Sequence, residues 1–181
     1  MKKSFSESIE IPADMQCELK ENKITCKKGS TELSKLVKIP GINVNLKDKT
    51  ITFECKSGNK KEYKIIKSLI AHMKNFFAGF DAKFVYRLES ANVHFPMTFK
   101  VEGSRLIINN FLGEKKPRYA EILNGVDVDL KGAKITVSSQ NKDAAGQTAA
   151  NFEKATKIRN RDRRVFQDGI YIIEKPGAQH G

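Results

Sequence analysis

Apolar and polar positions alternate with period two in several short runs of this chain. In Ile42-Asn43-Val44-Asn45-Leu46 the isoleucine, valine and leucine share one face and the asparagines the other. That pattern fits half-buried strands, one face on a core and one in water. It predicts a hairpin of 42–46 with 50–55, and the related run 126–130 pairs with 134–138 in the same way. Two further hairpins are predicted, 16–20 with 23–28 across Glu21-Asn22 and 98–102 with 105–109 across Gly103-Ser104. These dipeptides are small or polar, as tight turns require. The period then changes. Tyr63, Ile66, Ile70, Met73, Phe77 and Phe80 recur at three and four residues, a helical stripe over roughly five turns. Asn59 can cap its start and Gly79 sits near its end. A second helix is expected from about Asp143, as its cap, to Lys157; Gly146, Ala149 and Ala150 permit close approach and Phe152 anchors it.

The chain reads as though written twice, with a shift of 84 residues. GINVNLKDKTITF at 41–53 answers GVDVDLKGAKITV at 125–137, and Ile9-Glu10-Ile11-Pro12 answers Val93-His94-Phe95-Pro96, each expected to end a strand. The expectation is an α+β protein of two tandem duplicated domains, 1–82 and 83–181, each a small, mostly antiparallel sheet covered by one helix. Phe84–Ser90 then reads as a connecting strand.

Composition narrows the function. The 181 residues are 39% hydrophobic and 30% charged, the make-up of a soluble chain with a core. No apolar run reaches the roughly 20 residues of a membrane span, and no apolar stretch follows the lysines of MKKSFSESIEIP, so the expected compartment is the cytoplasm with no membrane partner. Cys17, Cys26 and Cys55 match no zinc spacing and are read as reduced thiols; His72, His94 and His180 lie far apart, so no metal and no cofactor is expected. Nucleotide loops and hydrolase or metalloprotease motifs are missing, Asp127 and Asp129 share a solvent face, and no enzyme is expected. Net charge is +12, which points to a polyanion.

That charge concentrates in KATKIRNRDRRVFQDGIY, 154–171. Arg159, Arg161 and Arg163 alternate and would share one side of an extended chain; Arg164 follows them. Guanidinium forks suit bidentate contact with phosphate. Val165, Phe166, Ile170, Tyr171 and Ile173 can then pack, so the cations are held at both ends rather than on a mobile loop. Gly113-Glu114-Lys115-Lys116-Pro117-Arg118 reads as a basic surface turn.

Several stretches, among them His94-Phe95-Pro96-Met97, Asn110-Phe111-Leu112-Gly113-Glu114-Lys115, Gly146-Gln147-Thr148-Ala149-Ala150-Asn151 and Val165-Phe166-Gln167-Asp168-Gly169-Ile170-Tyr171, carry a specific resemblance. Ile11-Pro12 and Ala71-His72-Met73-Lys74-Asn75 fit it too. The chain resembles the large-subunit ribosomal protein six family in its archaeal and eukaryotic branch. Ser30 and Arg163 stand where members have proline, usually at the first position and often at the second. The resemblance implies a structural protein of the large subunit that binds its rRNA near the sarcin–ricin loop, where elongation factors dock, beside neighbouring ribosomal proteins. It implies RNA contacts mainly in the second domain and its tail. By position these are Lys154, Lys157, Arg159, Arg161, Arg163, Arg164, Gln167 and Tyr171. Lys115, Lys116 and Arg118 are candidates from charge and placement alone. The alternative is a basic nucleic-acid-binding protein outside the ribosome.

Overall fold

A computed structural model of the chain describes residues 3–29, 31–37, 39–47 and 49–177; Ser30 and His180, singled out above, lie outside them. The chain divides into two compact units, Met1–Asp81 and Ala82–Gly181. Both are α+β.

The first unit contains β1 (Lys3–Glu10), β2 (Gln16–Lys20), β3 (Lys23–Lys28), β4 (Thr31–Leu36), β5 (Asn43–Lys47), β6 (Thr50–Gly58) and α1 (Lys60–Asp81). Its strands form two antiparallel sheets, ordered β1-β6-β5 and β2-β3-β4, rather than one. Glu21 and Asn22 both take positive φ, the two-residue turn that suits the twist of a hairpin. The hairpin register sets Cys17 opposite Cys26 with Cα atoms 4.1 Å apart, and they form a disulfide; Cys55 is free and buried. This corrects the expectation of three reduced thiols, because cross-strand pairing does not show in cysteine spacing. Helix α1 is as expected, but its buried face runs through Ile66, Leu69, Met73 and Phe76. Tyr63 is exposed, and Ile70, Phe77 and Phe80 are half-buried, so the stripe is turned by about one residue from the expected one. At its start, the Asn59 amide donates to Glu62 Oε2 at 2.7 Å, half of a capping box. Phe53, Ile51, Ile24, Ile66 and Met73 fill the core. Each such side chain contributes about 1.5–3 kcal/mol on leaving water.

The second unit contains β7 (Phe84–Ala91), β8 (Thr98–Glu102), β9 (Arg105–Asn109), a 3-10 turn (Phe111–Gly113), β10 (Arg118–Glu121), β11 (Asp127–Lys131), β12 (Lys134–Ser139), α2 (Lys142–Ala155) and β13 (Gly169–Glu174). Its sheets run β10-β9-β8 and β11-β12-β7-β13. Strand β7 is therefore central and no connector; β12 and β13 flank it, both antiparallel. Val93-His94-Phe95-Pro96 is a bend and not a strand end, because its amides turn to a carboxylate described below. The cap of α2 is Asn141, whose Oδ1 accepts from the amides of Asp143 and Ala144, not Asp143 itself. The helix buries Ala145, Thr148, Ala149 and Phe152 and ends at Ala155. Gly146 is needed for the close approach: a Cβ there would lie 2.7 Å from Tyr86 Oη. Asp127 and Asp129 are exposed and paired with Lys83 and Lys131, as surface carboxylates should be.

Candidate nucleic-acid interface

The basic segment is centred on a loop over 157–168 that leaves α2 and returns as β13. Two polar clasps close it. Thr156, 3% exposed, accepts from the Ile170 amide at 2.8 Å and donates within α2 to the carbonyls of Phe152 and Glu153. Asp168, 1% exposed, accepts from the amides of Val93 at 2.8 Å and His94 at 2.9 Å, and its second oxygen meets His94 Nδ1 at 2.5 Å. Burial pushes the Asp168 carboxyl up, but the hydrogen bonds from His94 and Val93 outweigh it and hold the group below the ordinary aspartate range. Neither clasp was foreseen. Thr156 and Asp168 are hydrophilic residues in a hydrophilic stretch, and no local pattern marks partners that lie 14 and 74 residues away.

Between the clasps the chain is not extended. Asn160 takes φ 56°, which breaks the expected one-sided alternation of Arg159, Arg161 and Arg163. A turn at 163–165 follows, in which the Asp162 carbonyl accepts from Val165 and Phe166 and its Oδ1 from Arg164. This turn closes with Arg163 at its first position and no proline. Phe166 is half-buried, against His94 with ring centroids 5.1 Å apart, and Ile170 is fully buried. Val165 and Ile173 are 60% and 58% exposed and anchor nothing, contrary to expectation. The strand rule explains it: Ile170 and Ile172 point inward, so Ile173 must point out.

Two grooves result. One, of about 630 Å³, is lined by Glu153, Lys154, Lys157, Arg159, Arg163 and Tyr171, among others. The other, of about 320 Å³, is lined by Arg118, Tyr119, Lys154, Ala155, Lys157 and Arg159. Six of the candidates therefore meet there. Arg161 points elsewhere, with its guanidinium 4.8 Å from the Phe166 ring centroid. Arg164 is almost wholly in water, 3.7 Å from Asp162. No ion pair engages Lys154, Lys157, Arg159, Arg161 or Arg163 among the described residues. Gln167 donates to the Arg164 carbonyl, and Tyr171 Oη donates to the Gln167 carbonyl at 3.0 Å, so both brace the loop.

The 111–118 turn supplies a wall. Leu112 and Gly113 take positive φ, and a Cβ placed on Gly113 would lie 3.5 Å from the Phe95 ring. Lys115 and Lys116 are exposed. Arg118 is a clamp: it grips both oxygens of Glu114 at 2.8 and 2.5 Å, donates to the carbonyls of Ala155 and Lys157, and lies over Phe111 at 4.1 Å. The Arg118 hydrogen bonds hold the Glu114 carboxyl below its ordinary range. Among the described residues no cluster of His, Cys, Asp and Glu could hold a metal, and no helix is long and apolar enough to cross a membrane.

A family model described as "Ribosomal protein L6" matches residues 95–169, the stretch from the Phe95 bend to the end of the loop. The chain is 39% identical over 171 residues to the large ribosomal subunit protein uL6 of Methanococcus vannielii, covering 94% of each chain. It is 39% identical over 175 residues to the protein of the same name from Methanosarcina mazei, covering 97% of this chain and 99% of that one. The Methanobrevibacter smithii protein is 38% identical over 172 residues, 95% of this chain and 97% of its own.

Proposed function

The chain belongs to the ribosomal protein L6 family, being 38–39% identical to its archaeal members over nearly its whole length, and on that premise we propose that it binds large-subunit rRNA through the 154–171 segment of its second unit, the loop with its two flanks. It is a protein of the large ribosomal subunit, at work in the cytoplasm within the ribosome. Its family is not an enzyme class. Neighbouring ribosomal proteins share that surrounding.

The observation that carries the reading is the clasped loop. Thr156 and Asp168 fix both ends, and between them Lys157, Arg159, Arg161 and Arg163 stand in water with no ion pair among the described residues, while Arg164 lies 3.7 Å from Asp162. A loop ordered in advance loses less conformational entropy on binding than a mobile tail. Lys154, Lys157, Arg159, Arg161, Arg163 and Arg164 neutralise phosphates, and released counterions drive association. Gln167 and Tyr171 brace the loop, and Arg118 ties the 111–118 turn to the end of α2. Lys115 and Lys116 add charge beside it. Recognition is of backbone and shape, since an A-form major groove is too narrow for side chains to read. The RNA element is the sarcin–ricin region, beside the elongation-factor site.

The test replaces Arg159, Arg161 and Arg164 with Ala and measures filter binding to large-subunit rRNA against salt. Affinity should fall and the log–log slope should shrink by roughly 2 to 3, at about 0.7–0.9 per phosphate contact, while circular dichroism is unchanged. An unaltered slope refutes the role of the loop. Crosslinking within assembled subunits tests the sarcin–ricin placement. A chain that leaves large subunits at moderate salt in a sucrose gradient would favour the free nucleic-acid-binding alternative.

A further inference from the structure

Tyr119 has no task in the fold. It stands on β10 and is 57% exposed, while its neighbour Ala120 is in the core. Its hydroxyl makes no hydrogen bond among the described residues. The cations of the second unit that lie over rings lie over Phe84, Phe111 and Phe166, so among the described residues no cation covers Tyr119. Yet Tyr119 lines the 320 Å³ groove, whose other lining residues bring Arg118, Lys154, Lys157 and Arg159 and no acid.

That groove is rigid on one side. Arg118 is held by Glu114, two carbonyls and the Phe111 ring, so the wall next to Tyr119 is set before anything binds. Lys154, Lys157 and Arg159 keep their charges free. Cations along a groove with an uncovered aromatic face make the two-part surface that holds single-stranded nucleic acid: phosphates to the cations, a base to the ring. Paired bases in a helix present edges to the grooves and keep their faces stacked. Only an unpaired, splayed base offers a face to such a ring.

We propose that Tyr119 is a stacking platform for one unpaired nucleotide of the bound RNA, with Lys154, Lys157 and Arg159 on its phosphates. This rests on the loop being an RNA interface. It adds that the bound element contains an unstacked base, which backbone contacts alone do not require.

The experiment titrates the full chain, wild type, Tyr119→Ala and Tyr119→Phe, with single-stranded polyuridylate and with the poly(A)·poly(U) duplex. Ultraviolet crosslinking and mass spectrometry of the polyuridylate complex follow. The Ala variant should lose about tenfold in affinity for the single strand and nothing for the duplex. The Phe variant should bind both as wild type does, and the crosslinked uridine should sit on the peptide containing Tyr119. Thermal melts of both variants should match wild type, because the ring is not in the core. Wild-type binding by Tyr119→Ala, or equal losses on both polymers, overturns the platform. If the platform fails while the triple arginine variant still loses rRNA binding, the interface reading survives it. If that triple variant binds rRNA as wild type does, both fall.

Discussion

The two units share one plan and differ in what is added to it. In each, a three-stranded meander accompanies a sheet in which the first strand pairs with the last of the three: β1-β6-β5 in one, β7-β12-β11 in the other. The second unit adds β13 to the other edge of β7, and with it the clasped 157–168 loop. Their charges are arranged differently as well. In the first unit many lysines are matched: Lys28 meets Asp14 and Asp81, Lys67 meets Glu7, Lys27 meets Glu32 and Lys20 meets Glu18. A groove there, of about 440 Å³, is lined by Leu19, Val44, Asn45, Leu46 and Lys47, with one cation. In the second unit Lys83, Arg87, Lys100, Arg118 and Lys131 are matched too, but Lys154, Lys157, Arg159 and Arg163 converge on grooves and have no ion pair among the described residues. The difference teaches that net charge did not select the interface. What marks out the proposed interface is charge held close together by tertiary structure and left without counter-charges.

The strongest test of that separation is in the two cores. Phe152→Ala should cost about 3–5 kcal/mol and take RNA binding with it, since α2 carries the root of the loop; Phe53→Ala should cost a similar amount with rRNA affinity kept. Denaturant unfolding and filter binding on both variants read this out. Equal loss of binding would erase the distinction between the units.

Next comes a matched exchange of charge. Replacing Arg159, Arg161, Arg163 and Arg164 with Ala should lower the salt slope of rRNA binding by roughly 3. Replacing Lys60, Lys61, Lys64 and Lys74, four exposed cations of α1, should lower it by less than about 1. A comparable fall for both would make the first unit an interface too.

Smaller effects should follow from the clasps. Asp168→Ala orphans the amides of Val93 and His94, at about 1–3 kcal/mol for each group that stays dry, with RNA affinity reduced as the loop loosens. The sign with pH follows from the depressed carboxyl. A carboxylate whose folded pKa lies below its unfolded one, about 3.9, stabilises fully above that value, and the gain is lost as pH falls through the folded pKa. Wild type and Asp168→Ala should thus differ in melting temperature near pH 6 and converge on acidification. A constant gap would assign the effect to packing alone. The smallest change is Asn141→Ala, which removes the α2 cap at about 1 kcal/mol and should leave RNA binding intact, because the cap lies at the far end of the helix from the loop.

Much of the scaffold was legible because its causes are local. The alternation at 42–46, the small or polar turns at 21–22 and 103–104 and the apolar stripe of α1 each act within a few residues, and the strands and helix formed where they pointed. The α1 face was turned by about one residue, since Leu69 and Phe76 compete with Ile70 and Phe77 for the core and only the sheet opposite decides between them. The loop was visible as a density of arginine; its shape was not. Alternation implied an extended run, and Asn160 and Asp162 bent it.

By itself, then, the amino-acid order determined which segments become strands and helices, that the plan occurs twice, and that positive charge gathers near the second helix end, because periodicity, turn chemistry and charge are properties of neighbours along a chain. Tertiary structure alone decided that Cys17 meets Cys26, that β7 is central, that Arg118 clamps rather than projects, and that Asp168 reaches back to His94. Those outcomes depend on strand register and on groups far apart in sequence competing for the same buried hydrogen bonds, and no local pattern encodes who wins.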